Sequence, residues 1–194
     1  MAMRRVVFLD KDGTLVQNVP YNVDPERVVL RSEAVPALRR LRGAGYDLVV
    51  VSNQSGVAHG YFDERAVQRI LLHLRQGLAL AGVDLLDCRY CPHHPEGSVM
   101  RFACACECRK PAPGMLHDAA RQHGIDLGAS FLVGDILDDV EAAHRAGCRA
   151  VLLDCGSETL WQTGPYRTPD HRVTDLTEAA SWILAHSRAA EVLS

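Results

Sequence analysis

A run of four apolar residues that ends in an acidic turn constrains the fold of this chain more than any other feature. Val6–Leu9 is followed at once by Asp-Lys-Asp-Gly-Thr at positions 10–14. A short apolar run bounded by a turn signal is typical of a buried strand in a parallel sheet. Ligands bind beyond the carboxyl ends of such strands, so Asp10 and Asp12 should face one crevice. Because Mg²⁺ in proteins is held by one or two carboxylates plus substrate oxygens, this turn indicates a phosphate site.

Two simpler interpretations of the acidic turn have to be weighed. Asp-x-Asp-Gly also opens a calcium-binding loop, but residues 14–17 supply none of the further acids that such a loop requires. Asp-Gly on its own is a common turn without any ligand. Only residues elsewhere in the chain decide between a turn and a phosphate site.

Downstream of the acidic turn, apolar runs alternate with segments of helical periodicity. This order predicts an α/β fold with a doubly wound parallel sheet. The predicted strands are 6–9, 46–51, 85–90, 130–133 and 150–153, with a short additional strand at 28–30, and the predicted helices are 32–43, 63–80, 115–123, 140–146 and 176–186.

Composition limits the possible classes of protein. A chain of 194 residues with 47% hydrophobic content is expected to form one globular domain over 1–194. The net charge of −3 speaks against a nucleic-acid partner. The first strand begins too close to Met1 for a signal peptide to precede it, and no apolar run approaches the length of a membrane span. We therefore expect a cytoplasmic protein without a membrane partner.

Polar residues follow other predicted strands as well. Ser52 comes after the second strand, Asp135 and Asp139 come after the fourth, and Lys110 lies in a loop that enters a helix. Each alone is explained by a turn, a helix N-terminal acid or a solvated lysine. Together they supply a carboxylate nucleophile, an acid/base, metal ligands and groups for phosphate oxygens, which favours phosphoryl transfer.

The cysteines are concentrated in one segment. Five of the seven lie between Cys88 and Cys108, a density that favours a metal cluster over disulfides in a reducing compartment. Cys-x-His at 91–93 and Cys-x-Cys at 106–108 would give four ligands for tetrahedral zinc. Spacing alone leaves Cys104 as a spare or alternative ligand, and His94 as the less favoured histidine.

Four segments of the chain resemble the motifs of the haloacid-dehalogenase-like (HAD) phosphatases: residues 8–15, 51–56, 108–111 and 133–139. The segment 91–98 narrows the resemblance to the D-glycero-D-manno-heptose-1,7-bisphosphate 7-phosphatase branch, which is related to the histidinol-phosphatases. The resemblance extends over roughly residues 5–155. It implies a Rossmann-like HAD fold in a single domain without a cap, with an inserted zinc loop at 88–110.

The resemblance also implies roles for individual residues. Asp10 would be the nucleophile and Asp12 the general acid/base, while Ser52 and Lys110 would stabilise the phosphoryl group. Mg²⁺ would be held by Asp10, the Asp12 backbone carbonyl and Asp135, with Asp139 supporting the site from behind. The family pattern selects as zinc ligands Cys91, His93, Cys106 and Cys108.

For a capless enzyme, the resemblance assigns specificity to the loops 16–24 and 56–62 and to the zinc loop. The substrate-binding candidates are Asn18, Tyr21, Asn53, Gln54, Ser55 and Arg109. Two positions, His59 and Ile136, carry residues other than the basic ones that are common in the family. The implied substrate is a heptose bisphosphate, and the implied protein is a monomer. Histidinol-phosphate or another small phosphomonoester, a polynucleotide 3′-phosphate, and a zinc-stabilised binding domain without activity are the alternatives.

Overall fold

The computed structural model describes residues 3–191 of the chain, and the side chains of these residues as far as 187. The expected domain of 1–194 therefore extends beyond the described residues at both ends. The strands are β1 Val6–Leu9, β2 Asp47–Asn53, β3 Asp87–Cys91, β4 Phe131–Gly134, β5 Arg149–Leu153 and β6 His171–Val173. The helices are a 3₁₀ turn at Pro25–Arg27, then α1 Ala34–Gly43, α2 Glu64–Leu80, α3 Gly114–His123, α4 Leu137–Ala146 and α5 Leu176–Glu191.

All six strands form one parallel sheet in the order β3-β2-β1-β4-β5-β6. The chain first adds strands on one side of β1 and then crosses to the other side, so the strand order reverses between β1 and β4. In register, Leu9 at the end of β1 is paired with Val133 of β4. A crevice at the carboxyl ends of the strands opens at such a switch point, and the acidic turn lies there.

The alternation of side chains along β1 explains why helices cover both faces of the sheet. Val7 and Leu9 pack in one apolar layer, which α1 and α5 also enter, whereas Val6 and Phe8 pack in a second layer with α3 and α4. A strand buried on both faces has to be apolar throughout, as this one is. The doubly wound α/β fold expected from the sequence is confirmed, and no described helix is long and apolar enough to cross a membrane.

Three expectations about secondary structure are corrected. Residues 28–30 form no strand, because the backbone pairing of this segment is one isolated bridge, between Leu30 and Val16 in the loop after β1. The strand β6 was not anticipated, since its three residues lie at the sheet edge and only Val173 is buried. Helix α4 begins at Leu137, three residues earlier than expected, and its first turn carries the acids that favour a helix N-terminus.

Candidate active site

Three carboxylates meet at the carboxyl end of the sheet. Asp10 follows β1, Asp135 follows β4, and Asp139 lies in the first turn of α4. One oxygen from each lies within 4.8 Å of the others, and all three residues are buried. Gly13 makes this approach possible, because a Cβ at that position would come within 1.9 Å of Asp135 Oδ2 and the backbone there has a φ of +87°.

Lys110 is the cation of this carboxylate group. Its side chain is only 2% exposed, and its Nζ donates to Asp10 Oδ1 at 2.6 Å and to the Val51 carbonyl at 3.0 Å. A further hydrogen bond joins it to Asp139. Burial alone would lower the pKa of this lysine, but the two carboxylates raise it above its ordinary value, so Lys110 is charged. The solvated loop lysine considered from the sequence is therefore not what the structure contains.

The positive charge of Lys110 is not enough to neutralise the three carboxylates. Burial raises the pKa of Asp10 to about 7, against the attraction of Lys110, and the neighbouring acids add to the rise. Burial and then the charge of Asp10 raise the pKa of Asp135 to about 6, and burial also raises the pKa of Asp139. Three carboxylates beside one ammonium group leave two negative charges when all are ionised. This donor set of hard oxygens fits a divalent cation such as Mg²⁺.

Asp12 lines the same inner cavity as Asp10, and its side chain is more accessible to solvent. One of its oxygens pairs with the buried ammonium group of Lys11, and Oδ2 accepts from Gln54 Nε2 at 3.0 Å. The same Gln54 amide donates to Ser52 Oγ at 2.8 Å. Gln54 thus holds the carboxylate of Asp12 and the hydroxyl of Ser52 in fixed positions beside the nucleophile candidate.

Asn53, at the end of β2, fixes the backbone of Lys110. Its Nδ2 donates to the Lys110 carbonyl at 3.0 Å, and its Oδ1 accepts from the Lys110 amide at 3.1 Å. This pair of bonds ties the zinc loop to the sheet at the residue whose side chain enters the carboxylate group.

Two adjoining cavities open at this end of the sheet. The inner one has a volume of about 200 Å³ and is lined by Asp10, Asp12, Asn18, Ser52, Asn53, Lys110, Asp135, Ile136 and Ser157. The outer one has a volume of about 450 Å³, shares Asp12, Asn18, Asn53 and Ile136 with it, and adds further residues, among them Tyr21, Asn22, Gln54 and Ser55. The structure therefore brings the proposed catalytic residues and five of the six substrate-binding candidates to one continuous space.

Arg109 is the remaining substrate-binding candidate, and it lines neither of these two cavities. Its Nη1 donates to the His93 carbonyl at 3.4 Å, within the zinc loop. Its charge and that of His59 lower the pKa of His94, after the larger effect of burial. Arg109 is thus placed among the basic side chains of the zinc loop and its neighbourhood.

The zinc candidates form a compact group of four donors. Cys108 Sγ lies 3.0 Å from Cys91 Sγ and 3.4 Å from Cys106 Sγ, and His93 Nδ1 lies 3.3 Å from Cys108 Sγ. Zinc–sulfur bonds of about 2.3 Å place the sulfurs of a tetrahedral site about 3.8 Å apart. Hydrogen bonds from Cys91 and His93 lower the pKa of Cys108 to about 5, which favours the thiolate that zinc binds. The four residues fit a structural zinc ion.

Cys104 lies outside this group, and its side chain is exposed. The four-donor group is completed by Cys91, which lies at the end of β3 and is fully buried. The structure thus selects Cys106 and Cys108 from the three neighbouring cysteines.

Two residues of the site were not recognised from the sequence. A lysine inside an acidic turn is usually solvated, yet the Lys11 side chain is only 3% exposed and its ammonium group pairs with Asp12. Ser157 lines the inner cavity from the loop after β5. The polar turn Asp-Cys-Gly-Ser at 154–157, at the end of a strand, was a usable signal for Ser157.

The chain is similar to known phosphatases over most of its length. The HAD-hydrolase-like family model matches residues 107–179. The chain is 39% identical over 178 residues to D-glycero-β-D-manno-heptose-1,7-bisphosphate 7-phosphatase of Escherichia coli strain K12, covering 92% of this chain and 87% of that protein. It is 38% identical over 156 residues to the corresponding α-heptose phosphatase of Photorhabdus laumondii, covering 80% and 85%.

A solved structure is similar over almost the whole chain. The crystal structure of D,D-heptose 1,7-bisphosphate phosphatase from B. bronchiseptica, complexed with magnesium and phosphate, superposes with a TM-score of 0.78 at 34% identity. The match covers 94% of this chain and 99% of that one.

Proposed function

The chain belongs to the D-glycero-D-manno-heptose-1,7-bisphosphate 7-phosphatase family of HAD-like hydrolases, and on that premise we propose that it removes the 7-phosphate of a heptose 1,7-bisphosphate. One observation carries the proposal: the buried carboxylates of Asp10 and Asp135 and the buried ammonium group of Lys110 line a small cavity at the switch point of the sheet. A third buried carboxylate, that of Asp139, bonds to the same lysine. That arrangement leaves an excess of negative charge that a divalent cation would offset, beside a carboxylate placed to attack phosphorus.

Asp10 and Asp12 divide the chemistry between them. A carboxylate oxygen of Asp10 attacks phosphorus, and the bond from phosphorus to the sugar oxygen breaks, which gives an aspartyl-phosphate and the free hydroxyl. Asp12 gives its proton to the departing oxygen and then takes one from the water that hydrolyses the intermediate. Gln54 and Lys11 hold the carboxylate of Asp12 in place for both steps.

The phosphoryl group is stabilised by groups that are already in position. Lys110 offers a buried positive charge and Ser52 a buried hydroxyl, and both residues line the inner cavity. We assign the Mg²⁺ site to Asp10, the Asp12 backbone carbonyl and Asp135, with Asp139 held back by its bond to Lys110. When bound, the ion neutralises charge on the phosphoryl oxygens.

The outer cavity suits a polyhydroxylated leaving group. Its wall carries the side-chain amides of Asn18, Asn22, Asn53 and Gln54 together with Ser55 and Tyr21. Amide groups donate and accept hydrogen bonds, which is what sugar hydroxyls require. A cavity of about 450 Å³ is within the ordinary range for small-molecule sites.

The zinc group acts structurally in this proposal. It fixes the segment that ends in Arg109 and Lys110, and Asn53 fixes the far end of the same segment. Four protein ligands leave a structural zinc no open position for substrate. Arg109 would then contact the part of the substrate that projects from the cavities.

The test is turnover of defined phosphoesters. Purified protein with Mg²⁺ is given both anomers of the heptose 1,7-bisphosphate, histidinol-phosphate and simple sugar monophosphates, and ³¹P NMR follows which phosphate is lost. The proposal expects loss of the 7-phosphate only, with the highest kcat/KM for one of the bisphosphate anomers. A higher kcat/KM for histidinol-phosphate would replace the sugar with that substrate.

Two variants show whether the measured phosphatase activity belongs to this protein or to a contaminating enzyme. Asp10→Asn should abolish turnover, because the amide is not a nucleophile. Asp118→Asn changes an exposed residue of α3 that pairs with Arg121, and it should have normal activity. Equal activity in the two variants would refute the role of Asp10.

We propose further that the enzyme works as a monomer in the cytoplasm. All seven cysteines are free, and the zinc group requires reduced thiols, which that compartment maintains. The four catalytic candidates all line the inner cavity, so the site needs no residue from a second subunit. Sedimentation of the zinc-loaded protein would test the monomer.

A further inference from the structure

The loop that follows β5 returns to the carboxylate group and is anchored there at both ends. Cys155 Sγ lies 3.5 Å from the Gly13 carbonyl, in the acidic turn. Glu158 Oε2 accepts from the Leu137 amide at 2.9 Å and so caps the start of α4. Ser157, between these two anchors, lines the inner cavity.

Burial raises the pKa of Asp135, and the nearby Ser157 hydroxyl, acting as a hydrogen-bond donor, works in the opposite direction. The two groups meet beside Gly13, where an added Cβ would lie 1.9 Å from Asp135 Oδ2 and 3.1 Å from Ser157 Oγ. On the other oxygen, Asp135 Oδ1 accepts from Thr14 Oγ1 at 3.4 Å. Two hydroxyl groups, from two different loops, therefore hold one buried carboxylate.

We propose that Ser157 is a positioning residue for the divalent cation: its hydroxyl sets the orientation of Asp135. This inference rests on the proposed function, since it assumes that Asp135 is a metal ligand. Hydrogen bonds from behind a ligating carboxylate fix its direction, and loss of such a partner typically weakens metal binding by about 10- to 100-fold. If the role of Ser157 is to orient Asp135, its loss should act on metal affinity and not on the chemical step.

The anchors make the inference testable without unfolding the loop. Cys155 Sγ also lies 3.4 Å from Ser157 Oγ. Its contact with the Gly13 carbonyl and the bond from Leu137 to Glu158 both remain when that hydroxyl is removed, so Ser157→Ala should leave the path of the loop unchanged. Ser157→Thr keeps a hydroxyl at the same position. Ser181→Ala is the matched control, because Ser181 lies on α5 and bonds only to groups remote from the site, the Thr177 carbonyl and Arg40.

Isothermal titration of the zinc-loaded, magnesium-free proteins with Mg²⁺ alone measures the dissociation constant directly. We expect Ser157→Ala to raise it about tenfold, at the lower end of the range for such contacts. Ser157→Thr and Ser181→Ala should bind as the unchanged protein does. In turnover, Ser157→Ala should need about ten times more Mg²⁺ for half-maximal rate, while kcat at saturating Mg²⁺ stays the same.

The outcomes distinguish this inference from the proposed function. An unchanged dissociation constant in Ser157→Ala would overturn the inference while leaving the hydrolase intact, and so would a Ser157→Thr protein that binds as weakly as Ser157→Ala. Failure of the unchanged protein to bind Mg²⁺ or to hydrolyse any phosphoester would instead remove the proposed function itself.

Discussion

Lys110 offers the sharpest test of the charge balance in the site. Lys110→Met keeps the length and apolar stem of the side chain but removes the ammonium group that bonds to Asp10, Asp139 and the Val51 carbonyl. Removing one partner of a buried ion pair costs about 3–5 kcal/mol, because the remaining charge has no compensation. With a urea m-value of about 2 kcal/mol/M, the unfolding midpoint should fall by about 2 M.

The assay is urea unfolding of the magnesium-free protein at pH 8 and pH 5.5, with Arg121→Met as the control. Arg121 belongs to an exposed ion pair, which contributes at most about 1 kcal/mol. Without Lys110 the pKa of Asp10 and Asp139 rises further, so protonation at the lower pH should restore part of the lost stability. If Lys110→Met lowers the free energy of unfolding at pH 8 by less than about 1 kcal/mol, as the control does, then Lys110 does not offset the charge of the buried carboxylates.

The remaining predictions concern protons, intermediates and zinc. In the zinc-loaded protein without Mg²⁺, the free energy of unfolding should fall as the pH rises from about 4 through about 7, because the raised pKa values of Asp10 (about 7) and Asp135 (about 6) make the folded protein bind more protons than the unfolded chain. Urea titrations should show that added Mg²⁺ flattens this slope. Asp12→Asn with p-nitrophenyl phosphate, whose leaving group needs no acid, should release one equivalent of nitrophenolate in a burst and then stall, and sustained turnover would contradict the role of Asp12. Cys106→Ala should lose zinc by elemental analysis and melt earlier, whereas Cys104→Ala should retain both zinc and melting temperature.

The sheet and its acids were predictable because their signals are local. An apolar run followed by Asp10 places a buried strand and its carboxylate at once, and the same holds for Asp135 after β4. The zinc group was also predictable in outline, since spacing alone brings two pairs of ligands together. The choice between Cys104 and Cys106 depends on the path of the loop, which spacing does not determine.

The sequence does not predict where Lys110 and Ser157 lie in the folded protein. Lys110 is buried because Asn53, 57 residues away in sequence, fixes its backbone over the carboxylates. Ser157 belongs to a loop without hydrophobic periodicity, and only the pairing of β5 with β4 brings it to Asp135. In both cases the decisive contact is between elements that are distant in sequence, so no local pattern contains it.

The most direct test of the account identifies the residue that carries the phosphoryl group during turnover. Borohydride reduces an acyl phosphate to an alcohol, so enzyme quenched during turnover of the heptose bisphosphate should contain homoserine at position 10, which peptide mass spectrometry locates. We expect this change at Asp10 alone, only with substrate present, and not in Asp10→Asn. Reduction at another carboxylate, such as Asp12 or Asp135, or turnover without any reducible intermediate, would contradict the central claim that Asp10 is the nucleophile.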